Sequence, residues 1–185
     1  MINFTLREEE KSILKALIGK KLLHLRHDPF DKFGQETVYG KVEMFFEDRI
    51  VAFLYDYESY PLFGSKDDDR PRFHVNLIGE EEAASALQDV EQIDVECGKV
   101  ISGITLAEDL LEIEWDGKKD VSKVLKAIIV EFDKTKIGIV GDYMMPLLDL
   151  IKGENVLSNL PKPGEDLENI PDVKYRAERS FVKID

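Results

Sequence analysis

Apolar and polar residues alternate most clearly in residues 37–57, which predict a β-hairpin with its turn at Glu47 and Asp48. In this register Met44 faces Val51. Successive side chains of a strand point to opposite faces, so one face of the hairpin is almost wholly apolar. Slipping the register by one residue would turn that face to solvent. We therefore expect the hairpin to lie with its apolar face on the core.

Weaker patterns predict the other elements. Apolar residues at helical spacing in residues 13–18, followed by Gly19, predict an N-terminal helix. A second, short helix near residues 143–152 is predicted to begin at Asp142, with Pro146 tolerated near its start. Alternating residues predict further strands at residues 21–27, 73–77, 93–97 and 173–184.

Two more hairpins are predicted, with turns about residues 108–109 and about residues 133–134. With the first of them, the pattern of apolar residues in 100–116 is similar to that in 37–57. A duplicated two-hairpin unit would produce this similarity. Hydrophobic alternation makes any two hairpins look alike, however, and we prefer that explanation.

Together these elements predict an α+β fold. It consists of a mostly antiparallel, twisted β-sheet built from hairpins, with the N-terminal helix and the helix near residues 143–152 packed on it. We expect residues 1–185 to form a single domain, because a second full core would need a longer chain. Residues 153–172 are expected to form a loop before the strand at 173–184. That strand should pair with the sheet, since its backbone groups need partners.

Composition and charge narrow the classes of function. The chain is 43% apolar and 34% charged, as ordered globular proteins are, and its net charge is −13. This charge disfavours nucleic-acid binding, which depends on clustered Lys and Arg. With Cys97 as its single cysteine, the chain forms no internal disulfide. We find neither a signal sequence nor a run that could span a membrane, so the predicted location is cytoplasmic, away from membranes.

Signatures of common catalytic sites do not occur in the sequence. It contains no G-x-S-x-G, no P-loop and no H-E-x-x-H. His24 and His27 are three positions apart, which on a strand sends their rings to opposite faces, so no metal site is predicted even with His74. We predict no cofactor and no catalytic residue. Enzymatic activity stays open, and a non-enzymatic protein is favoured.

Acidic residues are concentrated in residues 80–116, which hold twelve acids and one base and so account for −11 of the net charge of −13. By alternation, four of these carboxylates lie on the outer face of the sheet: Asp94, Glu96, Glu112 and Glu114. Like charges on one face repel, and a basic partner would relieve that repulsion. A solvated outer face explains the same pattern and is the commoner arrangement. In a third explanation, the basic C-terminal strand lies beside these acids and neutralises them.

The favoured hypothesis is a non-enzymatic binding protein whose acidic sheet face captures a basic protein partner, as an immunity- or inhibitor-type protein does. This likeness is one of composition only. Tyr60 and Phe63 follow the first hairpin and are predicted to be exposed anchors for the partner. The alternative is an enzyme or small-ligand-binding protein of unfamiliar family, with a pocket near loops 28–34 and 57–72. A structural subunit that self-associates through open sheet edges is a third possibility.

Overall fold

The computed structural model describes residues 1–32, 35–60, 68–83 and 89–185. Within these ranges the chain forms one α-helix, α1 (Glu8–Lys15), and eleven β-strands. The strands are β1 (Ile2–Phe4), β2 (Lys21–Lys32), β3 (Gln35–Phe45), β4 (Ile50–Tyr60), β5 (Asp68–Ile78), β6 (Ile93–Val100), β7 (Gly103–Trp115), β8 (Lys118–Glu131), β9 (Lys136–Gly141), β10 (Leu147–Gly153) and β11 (Lys174–Ile184). Two short 3-10 helices, Val156–Asn159 and Glu165–Leu167, lie between β10 and β11.

The strands pair in two runs, β11-β7-β8-β9-β10 and β6-β2-β3-β4-β5, which are joined where β10 pairs with β3. These neighbours are antiparallel, and β1 adds to β8 in parallel. The runs pack against each other, since β5 contacts β8 and β9. One hydrophobic core accordingly takes side chains from both runs, among them Phe53, Phe73, Leu106, Ile128 and Leu148.

Strand β3 changes its partner at Gly40. On one side of this residue β3 pairs with β4 in the predicted register, with Met44 opposite Val51, which confirms the first hairpin. On the other side the same edge of β3 pairs with β10. Gly40 has φ +63°, and a Cβ there would lie 3.2 Å from the Tyr55 carbonyl oxygen and 3.3 Å from that of Pro146. Glycine therefore suits the point where two strands part.

The Tyr55 side chain fills the space that opens where β4 and β10 separate. It is 1% exposed and packs on Phe73, with the ring centroids 4.6 Å apart. On β9, a Cβ at Gly141 would lie 2.7 Å from both Cε2 and Oη of Tyr55, so a larger residue would displace the ring. Burial raises the pKa of the Tyr55 hydroxyl, which keeps it neutral.

The prediction of a short helix near residues 143–152 is wrong, because residues 147–153 form strand β10. Its local signal is real: the Asp142 carboxylate accepts hydrogen bonds from the backbone N–H groups of Met144 and Met145, at 2.9 and 3.2 Å. The capped turn does not grow into a helix, since the following residues pair with β9 on one side and β3 on the other. The fold is therefore sheet-rich with one helix, rather than a sheet carrying two.

The hairpin predicted about residues 108–109 is also wrong, since β7 runs unbroken through this point. Glu108 and Asp109, which resemble a turn in the sequence, are buried at 3% exposure each. Their carboxylates are paired instead: Lys123 lies 2.5 Å from Glu108, and Arg179 donates to both oxygens of Asp109 at 2.6 and 2.8 Å. Residues 100–116 therefore do not form a second hairpin that repeats the first.

Other boundaries differ less. The hairpin about residues 133–134 is confirmed, with the Phe132 N–H donating to the Thr135 carbonyl at 2.8 Å between β8 and β9. Strand β2 continues to Lys32, through residues predicted as loop. Strands β4 and β5 likewise extend into the predicted loop after the first hairpin. Residues 61–67 between them lie outside the described ranges. The C-terminal strand pairs with the sheet as expected, alongside β7.

A buried ion pair attaches α1 to β5. Arg72 Nη2 lies 2.6 Å from Glu10 Oε2, and the two side chains are 2% and 7% exposed. The same guanidinium donates to the Thr5 carbonyl at 3.1 Å. Leu14 of the helix and Leu17, which follows it, are fully buried. The helix is thus held by apolar packing and by this buried ion pair.

We expect Gly141→Ala to destabilise the protein by about 1–3 kcal/mol, because the new Cβ overlaps the Tyr55 ring. Gly79→Ala is the matched control, since a Cβ there would meet only Glu82 Oε2, at 3.9 Å. Urea unfolding of both variants measures the effect. An unchanged midpoint for Gly141→Ala would show that Tyr55 does not occupy this space.

We expect Glu10→Leu to cost about 3–5 kcal/mol of unfolding free energy. It removes the nearest carboxylate from the buried Arg72 guanidinium, leaving Glu58 at 4.0 Å, and it removes the acceptor of the Arg7 N–H. The double variant Glu10→Leu/Arg72→Met should recover the part of that loss that comes from the buried guanidinium. Glu8→Gln, which removes an exposed pair with Lys11, should leave the midpoint unchanged. Urea unfolding of all three variants is the measurement. A double variant no more stable than Glu10→Leu would contradict this account.

Candidate functional site

The four carboxylates predicted to form an acidic face are divided between two distant strands. Asp94 and Glu96 lie on β6, and Glu112 and Glu114 lie on β7. In the strand order β7 stands next to one end, whereas β6 forms the other. The two pairs therefore do not lie on neighbouring strands of the sheet.

The basic C-terminal strand lies directly beside the β7 acids. In the β11–β7 ladder Arg176 stands opposite Glu112, and Lys174 opposite Glu114. Glu114 also lies 3.3 Å from the Lys119 ammonium. The basic strand thus lies beside these acids, as the third explanation from the sequence expected, but the ion pair of Glu114 is with Lys119 of β8 and Arg176 pairs with Glu178.

Glu112 differs from Glu114, the other acid of the pair on β7. It is exposed and takes part in no ion pair among the residues that the structure describes. Arg176, its neighbour across the ladder, is 2.6 Å from Glu178 on its own strand. A shallow groove of about 230 Å³ runs past Glu112, Lys119 and Arg176, so its walls carry both signs of charge.

On β6, Asp94 already has a cationic partner. Arg26 of β2 donates to both of its oxygens, at 2.9 and 3.2 Å. These hydrogen bonds lower the pKa of the Asp94 carboxyl. Arg26 also lies over Phe45, 4.8 Å from the ring centroid, and His24 stacks on the same ring at 4.1 Å. Asp94 thus belongs to an ordered cluster within the protein.

Tyr60, predicted to be an exposed anchor for a partner, is half-buried. Its ring packs on Phe4, with centroids 4.2 Å apart, and its hydroxyl donates to the Glu58 carboxylate. Burial, with the hydrogen bond to Glu58, raises the pKa of Tyr60 to about 12. Phe63 lies outside the described residues, as does part of the pocket predicted near loops 28–34 and 57–72. The described parts of those two segments are mainly strand.

An apolar cavity of about 210 Å³ opens between β6 and the β8–β9 hairpin. Leu25 and Phe132, 1% and 5% exposed, form its floor, and Val95 and Ile137 add to its apolar walls. The same hairpin contributes Thr135 at the mouth. The cavity therefore lies between the two runs of strands, at one end of the core.

A β-bulge in β6 lets neighbouring residues line this cavity together. The β2–β6 register shifts between Leu22, opposite Lys99, and His24, opposite Glu96, and Gly98 within this shift has φ +64°. Strict alternation would send Glu96 and Cys97 to opposite faces, yet both line the cavity. Bulges re-aim side chains in this way. The sequence signal is Gly98 inside an alternating strand, which resembles a turn.

Charged side chains surround the mouth of the cavity, and lysine predominates among them. Lys99, Lys136 and Lys152 line it, together with the carboxylate of Glu96. Lys136 lies 3.0 Å from Glu131. Lys99 Nζ donates to Thr135 Oγ1 at 3.0 Å. In a chain with a net charge of −13, the lining of this cavity is locally basic.

Comparison of the chain with protein-family models, with curated proteins and with solved structures finds no match.

Two further kinds of site were sought in the described ranges. No three His, Cys, Asp or Glu side chains converge there as a set of metal ligands. Nor do those ranges contain a helix with the length and apolar character needed to cross a bilayer.

Proposed function

We propose that the chain is a binding protein that takes up a small, partly apolar molecule in the cavity between β6 and the β8–β9 hairpin. The observation that carries this proposal is a concave, mainly apolar space of about 210 Å³ that reaches the core residues Leu25 and Phe132. Sites for small molecules have this character: they are concave and mainly apolar, with a few polar groups that orient the ligand.

The volume limits the ligand. Sites for drug-sized molecules usually measure about 300–1,000 Å³. A cavity of about 210 Å³ therefore fits a smaller compound with a short apolar part. This proposal keeps the small-ligand alternative from the sequence and moves it to another pocket, because the loops predicted to form the site are mainly strand where the structure describes them.

Titration with hexan-1-ol, a neutral six-carbon probe, tests the cavity. We expect saturable amide chemical-shift changes at Val95, Phe132 and Ile137 in the full chain. Val95→Phe fills the cavity and should weaken binding at least about tenfold, since the apolar part of the probe loses its buried surface.

The matched control is Val100→Phe, on the same strand, where the side chain is 53% exposed and does not line the cavity. This variant should bind hexan-1-ol as the unmodified chain does. Equal weakening by both substitutions, or shift changes spread evenly over the surface, would count against the cavity as the binding site.

Capture of a basic protein partner is the second candidate function. It is supported by the net charge of −13 and by Glu112, an exposed carboxylate without an ion pair in the described part of the chain. An immunity- or inhibitor-type protein would use such a carboxylate to attract a basic surface. On β7 this surface lies around Glu112, beside the groove of mixed charge.

Charge reversal tests this second candidate. With an oligolysine peptide as the probe, Glu112→Lys/Glu114→Lys should slow association several-fold at low salt, and added salt should reduce the difference. Glu80→Lys/Glu81→Lys changes the net charge by the same amount at exposed positions elsewhere. Stopped-flow fluorescence gives both rates. If the two variants slow association equally, only the overall charge matters and the proposed surface is wrong.

A further inference from the structure

Resting on the proposed function, we infer that the ligand of the cavity is an anion with a short apolar part. Its charged group binds at Lys99, and its apolar part lies against Leu25 and Phe132.

The first support is the state of the Lys99 ammonium. It donates one hydrogen bond, to the Thr135 hydroxyl at 3.0 Å, and an ammonium has three donors. No carboxylate lies within ion-pair distance of Lys99 among the described residues, although acids outnumber bases in this chain by 38 to 25. Lys99 is also exposed, so its remaining donors can reach a ligand in the mouth of the cavity.

The second support is the balance of charge around the mouth. Three ammonium groups line the cavity against the single carboxylate of Glu96. Lys136 is compensated by Glu131, 3.0 Å away, and Lys152 has interactions of its own within the fold, so Lys99 carries most of the argument. Glu96 would favour a cationic ligand. Lysines nevertheless outnumber carboxylates three to one among the lining side chains, which favours an anion.

The third support is the relative position of charge and apolar surface. Thr135, the partner of Lys99, follows the floor residue Phe132 by three positions in the same hairpin. A ligand whose head contacts Lys99 can therefore reach the floor with a short hydrocarbon part. A carboxylate and a phosphate monoester share this chemistry, because both present oxygen acceptors to an ammonium.

The test compares six-carbon probes that differ only in their head groups: hexanoate, hexyl phosphate, hexan-1-ol and hexylammonium. Each is titrated into the full isotope-labelled chain at one pH. We expect hexanoate or hexyl phosphate to bind about tenfold more tightly than hexan-1-ol, because each adds a charge-assisted hydrogen bond. Hexylammonium should bind most weakly. Whichever anion binds more tightly identifies the head group.

Two variants assign the effect to Lys99. Lys99→Met should remove the advantage of the anions, so that hexanoate and hexyl phosphate bind no more tightly than hexan-1-ol to the same variant. Lys118→Met removes an exposed lysine at the opposite end of β8 and should change none of the affinities. Added salt should weaken the anions and spare hexan-1-ol.

The outcomes separate this inference from the proposed function. Binding of hexan-1-ol with no gain for the anions would overturn the anionic ligand and leave the cavity as a binding site. Tightest binding of hexylammonium would also overturn it and would assign the head-group contact to Glu96. Failure of all four probes to bind would overturn both proposals. An anion preference that survives Lys99→Met would rule out Lys99 as its source.

Discussion

The parting of β4 and β10 at Gly40 is the constraint on which the rest of the architecture depends. One edge of β3 serves both strands in turn, and the exchange needs a residue with positive φ and no side chain. Tyr55 enters the space that results, and Gly141 leaves room for its ring. Because β3 also pairs with β2, this junction joins the two runs of strands and sets where they pack against each other.

Charge in this protein is handled largely within the fold. Arg72 pairs with Glu10 under the helix, and Arg179 pairs with Asp109 where β11 lies along β7. In such buried pairs the cost of removing both charges from water offsets much of their attraction, so each ion depends on its partner. A high net charge is therefore a poor guide to where a partner binds. The contrast at Lys99, an ammonium without a carboxylate, carries more information.

The sequence predicts elements well where their signal is local and periodic. The register of the first hairpin follows from alternation, because the apolar face must meet the core. The same reasoning fails at residues 143–152. Asp142 caps a turn there, but the residues that follow pair with β3, which is distant in the sequence. It fails again at Glu108. The charge of this residue suggests a turn, but its partner Lys123 lies on the neighbouring strand β8, which the local sequence does not show. Sequence reasoning does not predict the cavity, because Gly98 forms a bulge. A glycine in a bulge and a glycine in a turn give the same signal in the sequence.

The position of β11 in the chain has a consequence for the order of synthesis. Arg179 leaves the ribosome 70 residues after Asp109, the buried acid that it neutralises. During that interval β7 has β8 on one side and lacks its other neighbour, so an edge bearing a buried carboxylate stays open. Closure of the sheet therefore waits for the C-terminal strand, and a nascent chain stalled before it would present both an unpaired strand and an uncompensated charge to its surroundings.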